Sequence, residues 1–94
     1  MKRFDFIIGY DIASVKRLPK VARLLEKVAL RIQYSLFLYA DVSKEELEVL
    51  VGKMLELIDE KEDDVRIYQV STKRSLHLMS GVDLVNPTIF SRSF

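Results

Sequence analysis

The sequence predicts an α+β fold, one antiparallel sheet with two helices packed on one face. Three observations carry that expectation. The run Phe4 to Tyr10 is aromatic and β-branched, as suits a central strand covered on both sides. Two later stretches repeat apolar residues at helical spacing, and the stretch between them alternates. A further β-rich run, Val65 to Ser71, closes the order strand, helix, strand or strand pair, helix, strand.

Asp11 is the first acidic group after the opening apolar run, which places a carboxylate at the mouth of a central strand. The next cations, Lys16 and Arg17, follow within one or two helical turns. A carboxylate beside cations suggests a metal and a phosphate. Lys16 to Ala29 is expected to be helical, with Leu18, Val21, Ala22, Leu25 and Val28 as the apolar stripe. Pro19 is tolerated there only in the first turn. Arg17, Lys20, Arg23 and Lys27 take the other side, and charge patterning alone favours a solvated face.

Arg31 to Val42 alternates next. Ile32, Tyr34, Leu36 and Leu38 share one face, read as the core face; Arg31, Gln33, Ser35, Phe37 and Tyr39 share the other. An outward Phe37 then suggests a covering partner. No Gly or Pro marks a turn, so one bent strand and two strands paired near Leu38–Ala40 both remain open. Ser43 and Glu46 form a capping box ahead of Leu47, Leu50, Val51, Met54, Leu55 and Ile58, the cleanest amphipathic helix. Gly52 inside it calls for close packing as its reason. Asp59, Glu60, Glu62, Asp63 and Asp64 read as a solvated acidic turn rather than a metal site.

With 94 residues and 49% apolar content, the chain makes one small packed domain, small enough that self-association would bury leftover surface. A net charge of +1 decides nothing about nucleic acid; only the distribution does. Cysteine is absent, which excludes disulfides, thiol catalysis and cysteine-bound metal, and a single histidine excludes a His-rich cage within one chain. No apolar run reaches membrane-spanning length and no signal-peptide pattern opens the chain, so the expectation is a soluble cytoplasmic protein without a membrane role.

The element order is that of a ferredoxin-like βαββαβ sandwich. Residues 1–80 are expected to form it, with a short extra C-terminal strand near Leu76 to Ser80. Residues 81–94, apolar but too short for a core, would pack on the domain or a partner subunit. An open edge at that end suggests a homodimer.

The segment YDIASVKRLPKVARLLEKVALRIQYSLF, followed by the strand DDVRIY at Asp63 to Tyr68, resembles the small CRISPR-associated family that works in spacer acquisition. The likeness covers residues 4–71. It implies a ferredoxin-like homodimer with metal-dependent phosphodiesterase activity on RNA or DNA, in a complex with the larger adaptation integrase. Carried over by position, Asp11 matches the metal-binding aspartate, with Tyr10 beside it. Arg17, Arg31 and Phe37 match positions tied to activity or nucleic-acid contact. The chain departs where acidic residues often follow YDI, having Ala13, Ser14 and Val15 instead, and no glycine closes its first helix.

A Mg²⁺ (or Mn²⁺) ion takes one or two carboxylates plus water and phosphate, so two copies of Asp11 across a two-fold axis would suit it. Arg17 or Arg31 would then meet the charge developing on phosphorus. The competing reading is a non-catalytic dimer bridging DNA. In it Lys16, Arg17, Lys20, Arg23, Lys73 and Arg74 hold phosphates without reading sequence. A small-molecule sensor of the same fold is a more distant reading, since the chain has no Gly-rich ligand turn.

Overall fold

The computed structural model describes residues 2–70. The candidate phosphate contacts Lys73 and Arg74, the extra strand and residues 81–94 lie outside them. The chain forms β1 (Phe4–Asp11), α1 (Leu18–Glu26), β2 (Leu30–Gln33), β3 (Leu36–Val42), α2 (Lys44–Leu57) and β4 (Asp64–Val70). The four strands make one sheet in the order β2-β3-β1-β4, every neighbouring pair antiparallel. Mixed α and β content with two helices on one sheet face is therefore as expected.

Alternation along β1 divides the two faces. Phe6, Ile8 and Tyr10 join Phe37, Tyr39, Val65 and Ile67 from the neighbouring strands and Val21, Leu25, Leu47, Leu50 and Met54 from the helices in the main core. Ile7, Leu38 and Val70 form a second cluster on the opposite face, with Ile32, Leu36 and Tyr68 packed against it. Phe6, Ile7 and Ile8 are all fully buried, which is why that run carries no polar residue.

Arg31 to Val42 corrects the sequence reading in two ways. It is a hairpin of two strands that turns at Tyr34–Ser35, not near Leu38–Ala40. Phe37 also belongs to the helix-side core with no exposed surface, whereas Leu36 and Leu38 face away from the helices. Alternation groups the β3 residues correctly, Phe37 and Tyr39 against Leu36 and Leu38, but the helices cover the first pair, and a register shift in β2 sets Gln33 opposite Leu36. Arg31 and Gln33 are polar because they lie exposed on the edge strand β2, so they do not mark the side that Phe37 and Tyr39 take on β3.

Near Ala40–Asp41, β3 carries one extra residue against β1, since Phe6 pairs with Tyr39 but Phe4 pairs with Val42. Asp41 adopts a φ of 56°, a left-handed conformation that Asp tolerates better than most residues. The Asp5 carboxylate accepts the Asp41 N–H at 2.8 Å and so holds the bulge in place. The bulge shifts the alternation, returning Val42 to the core side.

The helices follow their signals with shorter ends. α1 begins at Leu18 rather than Lys16, because the Ser14 hydroxyl accepts the N–H groups of Lys16 and Arg17 and organises a turn ahead of Pro19. Val28 falls beyond its end and is half exposed. The α2 capping box is complete: Ser43 Oγ accepts the Glu46 N–H at 3.1 Å, and the Glu46 carboxylate accepts the Ser43 N–H at 2.9 Å. The backbone bond from Ser43 is the main reason the Glu46 carboxyl titrates below its ordinary range. Gly52 does not owe its place to close packing, since a Cβ there would meet nothing within 4 Å.

Candidate metal and phosphate site

Asp11 is the last residue of β1 and is exposed, on the face away from the helices. Its partner in register on β4 is Asp64. Directly opposed residues of an antiparallel pair share a face and keep their Cβ atoms about 5 Å apart. The fold therefore brings two carboxylates together within one chain, where the sequence reading has one. Like charges so placed repel. Arg66, two residues along β4 on the same face, offsets this, its Nε donating to Asp64 Oδ2 at 2.8 Å.

A cleft of about 260 Å³ opens beside the pair, bordered by Gly9, Tyr10, Asp11, Ser35, Leu36, Asp64, Arg66 and Tyr68. Gly9 forms part of its floor between Leu36 and Arg66, its partners on the flanking strands. A Cβ at Gly9 would stand 3.2 Å from Leu36 Cδ1, so a larger residue would crowd the cleft. Asp64 and Arg66 are the site residues that sequence reasoning missed. Their signal is antiparallel pairing of the end of β1 with the start of β4, which needs the strand order to be known.

The other site candidates lie elsewhere. Arg31 pairs with Phe37 in register, its guanidinium carbon 4.9 Å from the centre of the Phe37 ring. It donates to Glu26 Oε2 at 3.0 Å, at the end of α1, and to the Tyr34 carbonyl at 2.8 Å. Phe37 stacks on Tyr10 with ring centres 6.1 Å apart. The three pack together on the helix side of the sheet, opposite the face of Asp11, and of them only Tyr10 also borders the cleft. Burial raises the Tyr10 phenol above its ordinary pKa, a shift that Arg31 partly opposes, and a phenol raised in this way stays protonated at neutral pH.

Arg17 is committed to an ion pair. Its Nε donates to Asp63 Oδ2 at 2.8 Å and its Nη2 to Asp63 Oδ1 at 3.1 Å and Glu62 Oε1 at 3.0 Å. The Asp63 side chain has no exposed surface, which corrects the reading of this cluster as wholly solvated. It also accepts the N–H groups of Ala13 at 2.9 Å and Asp59 at 2.8 Å. These donors, Arg17 first among them, hold the carboxyl down at about 2. Lys16, Lys20 and Arg23 are exposed, and their side chains make no ion pair among the described residues.

No group of three or more Asp, Glu, His or Cys able to hold a metal occurs among the described residues. Asp11 and Asp64 nevertheless suit an ion that takes one or two carboxylates and fills its shell with water and phosphate oxygens, as Mg²⁺ does.

Fold and site together define a small α+β protein whose described residues form a four-stranded sheet with an acidic pair at the end of its central strand. A model of the family described as CRISPR associated protein Cas2 matches residues 5–77. The chain belongs to that family. It is 47% identical over 64 residues to CRISPR-associated endoribonuclease Cas2 1 of Nitrosomonas europaea, a match covering 68% of this chain and 60% of that protein. It is 38% identical over 80 residues to CRISPR-associated endoribonuclease Cas2 2 of Thermodesulfovibrio yellowstonii, covering 85% and 86%. Among solved structures, Cas2 of Streptococcus pyogenes superposes with a TM-score of 0.70 at 25% identity, covering 87% of this chain and 99% of that one.

Proposed function

We propose that this chain is a divalent-metal-dependent phosphodiesterase of spacer acquisition. In this reading it cleaves RNA or DNA as a cytoplasmic homodimer held in a complex with the larger adaptation integrase. The observation that carries the proposal is the exposed Asp11, set opposite Asp64 at the mouth of a cleft that also holds Arg66. The endoribonuclease names of the relatives support the reaction class. The strand order with all-antiparallel pairing supports the ferredoxin-like arrangement. No helix among the described residues is long and apolar enough to cross a membrane.

Mg²⁺ or Mn²⁺, held by Asp11 and Asp64, would supply a Lewis acid for a phosphoryl oxygen and an acidified water. In one chain the protein's contribution is then to place charge. Arg66 spends its Nε on Asp64, which leaves its terminal nitrogens as guanidinium donors toward a phosphate in the same cleft. Arg17 and Arg31 are bound to carboxylates elsewhere and act in the fold. Tyr10, buried and protonated, is no general base. A two-fold axis would add a second Asp11 to the site.

A non-catalytic scaffold is the second reading, favoured by exposed Lys16, Lys20 and Arg23 along and just before α1. The two separate in one experiment: Asp11→Ala is assayed for Mg²⁺-dependent cleavage of RNA, single-stranded DNA and duplex DNA, and for spacer acquisition in cells. Cleavage lost with acquisition intact leaves the scaffold standing. Cleavage at the wild-type rate removes Asp11 from the reaction.

A further inference from the structure

We propose that Asp63 is a positioning residue, a buried clamp that sets Asp11 opposite Asp64. The inference rests on the reading of that pair as a cation site. The β1–α1 loop leaves Asp11 and the α2–β4 loop arrives at Asp64, so the relative placement of these two loops decides whether the carboxylates meet. One side chain joins them. Asp63 accepts the Ala13 N–H at 2.9 Å, two residues after Asp11, and both Nε and Nη2 of Arg17 further along the same loop. From its own side it accepts the Asp59 N–H at 2.8 Å.

A fully buried carboxylate persists only when its lone pairs are filled by strong donors, and here four N–H donors fill them. Its oxygens are spent, and it has no exposed surface through which to touch a metal or substrate. It sits one residue from Asp64 and two residues from Asp11 by way of Ala13. Loosening the clamp frees the strand ends to fray where they carry like charges. The carboxylates then separate, and the site loses its preformed geometry while the core, built on other residues, stays folded.

The arrangement makes Arg17 a positioning residue as well, acting through Asp63. Glu62, exposed and bonded to Arg17 Nη2, is an outer support whose loss matters less.

The test is Mn²⁺ binding to the full chain, followed by the electron paramagnetic resonance signal of free Mn²⁺ without nucleic acid. Asp63→Asn and Arg17→Gln are compared with Asp11→Asn and with Leu47→Ala, a core change in the first turn of α2, at the other end of that helix from the clamp. Residues that orient metal ligands are worth about 10–100-fold in affinity. Both clamp variants should weaken Mn²⁺ binding by at least about tenfold, and Leu47→Ala should leave it unchanged even if its melting temperature falls as far. Should Asp63→Asn fail to fold, Arg17→Gln carries the comparison, since Asp63 then keeps its two backbone donors. Wild-type affinity in a folded clamp variant, with binding lost in Asp11→Asn, overturns the clamp alone. Wild-type affinity in Asp11→Asn overturns the cation site beneath it.

Discussion

The Arg31 guanidinium caps the Phe37 ring at 4.9 Å, and beneath it Phe37 stacks on Tyr10 inside the core. Both aromatic side chains therefore serve packing.

Truncating Phe37 should cost stability first. Phe37→Ala removes a fully buried ring and should destabilise the domain by about 3–5 kcal/mol. Urea unfolding followed by circular dichroism reads this directly. Any loss of cleavage should track the unfolded fraction and recover with Phe37→Leu.

Acid should unfold the protein in part through Asp63. Its carboxyl lies at about 2 in the fold against an ordinary 3.8, chiefly because Arg17 bonds its charged form. The unfolded chain thus takes up this proton first as pH falls. The stabilisation is in place above the unfolded value and disappears as pH drops from about 4 to 2, amounting to about 2 kcal/mol at neutral pH. Stability curves of wild type and Asp63→Asn should converge over that interval. Parallel curves down to pH 2 would show that the pair contributes nothing.

Gly52 leaves a bare position in an otherwise well-formed helix. Gly52→Ala adds a methyl to open space at an exposed α2 position and should raise stability by about 1 kcal/mol. The denaturant midpoint should rise with an unchanged slope.

Nucleic-acid binding, if it runs through the exposed α1 cations, should weaken linearly on a log–log plot against salt. Replacing Lys20 and Arg23 with Ala should flatten that slope by about one unit for each phosphate no longer neutralised. An unchanged slope removes α1 from the binding surface.

The elements were legible because each had a local cause: β-branched residues in β1 and β4, Ser14 and Pro19 before α1, the Ser43–Glu46 box before α2. Asp11 was legible as the first charge after an apolar strand. What stayed hidden depended on distance through space. Phe37 reads as outward because it alternates with Arg31, Gln33 and Ser35, whose polarity belongs to the exposed edge strand β2 and its turn. Arg17 looks available to a phosphate because nothing local shows a partner 46 positions away. Asp63 reads as one of several solvated carboxylates, since its burial comes from loop against loop. Asp64 meets Asp11 only once β4 lies beside β1.

The central claim is that Asp11 works through a divalent cation. Its most direct test is single-turnover cleavage across a Mg²⁺ titration, comparing wild type with folded Asp11→Ala. Wild type should show a saturating Mg²⁺ dependence that a chelator abolishes, and the variant should fall at least about 100-fold at every concentration, the usual scale for removing a group that acts on the reacting phosphate. A variant that cleaves at the wild-type rate, or a wild type indifferent to the chelator, would contradict it.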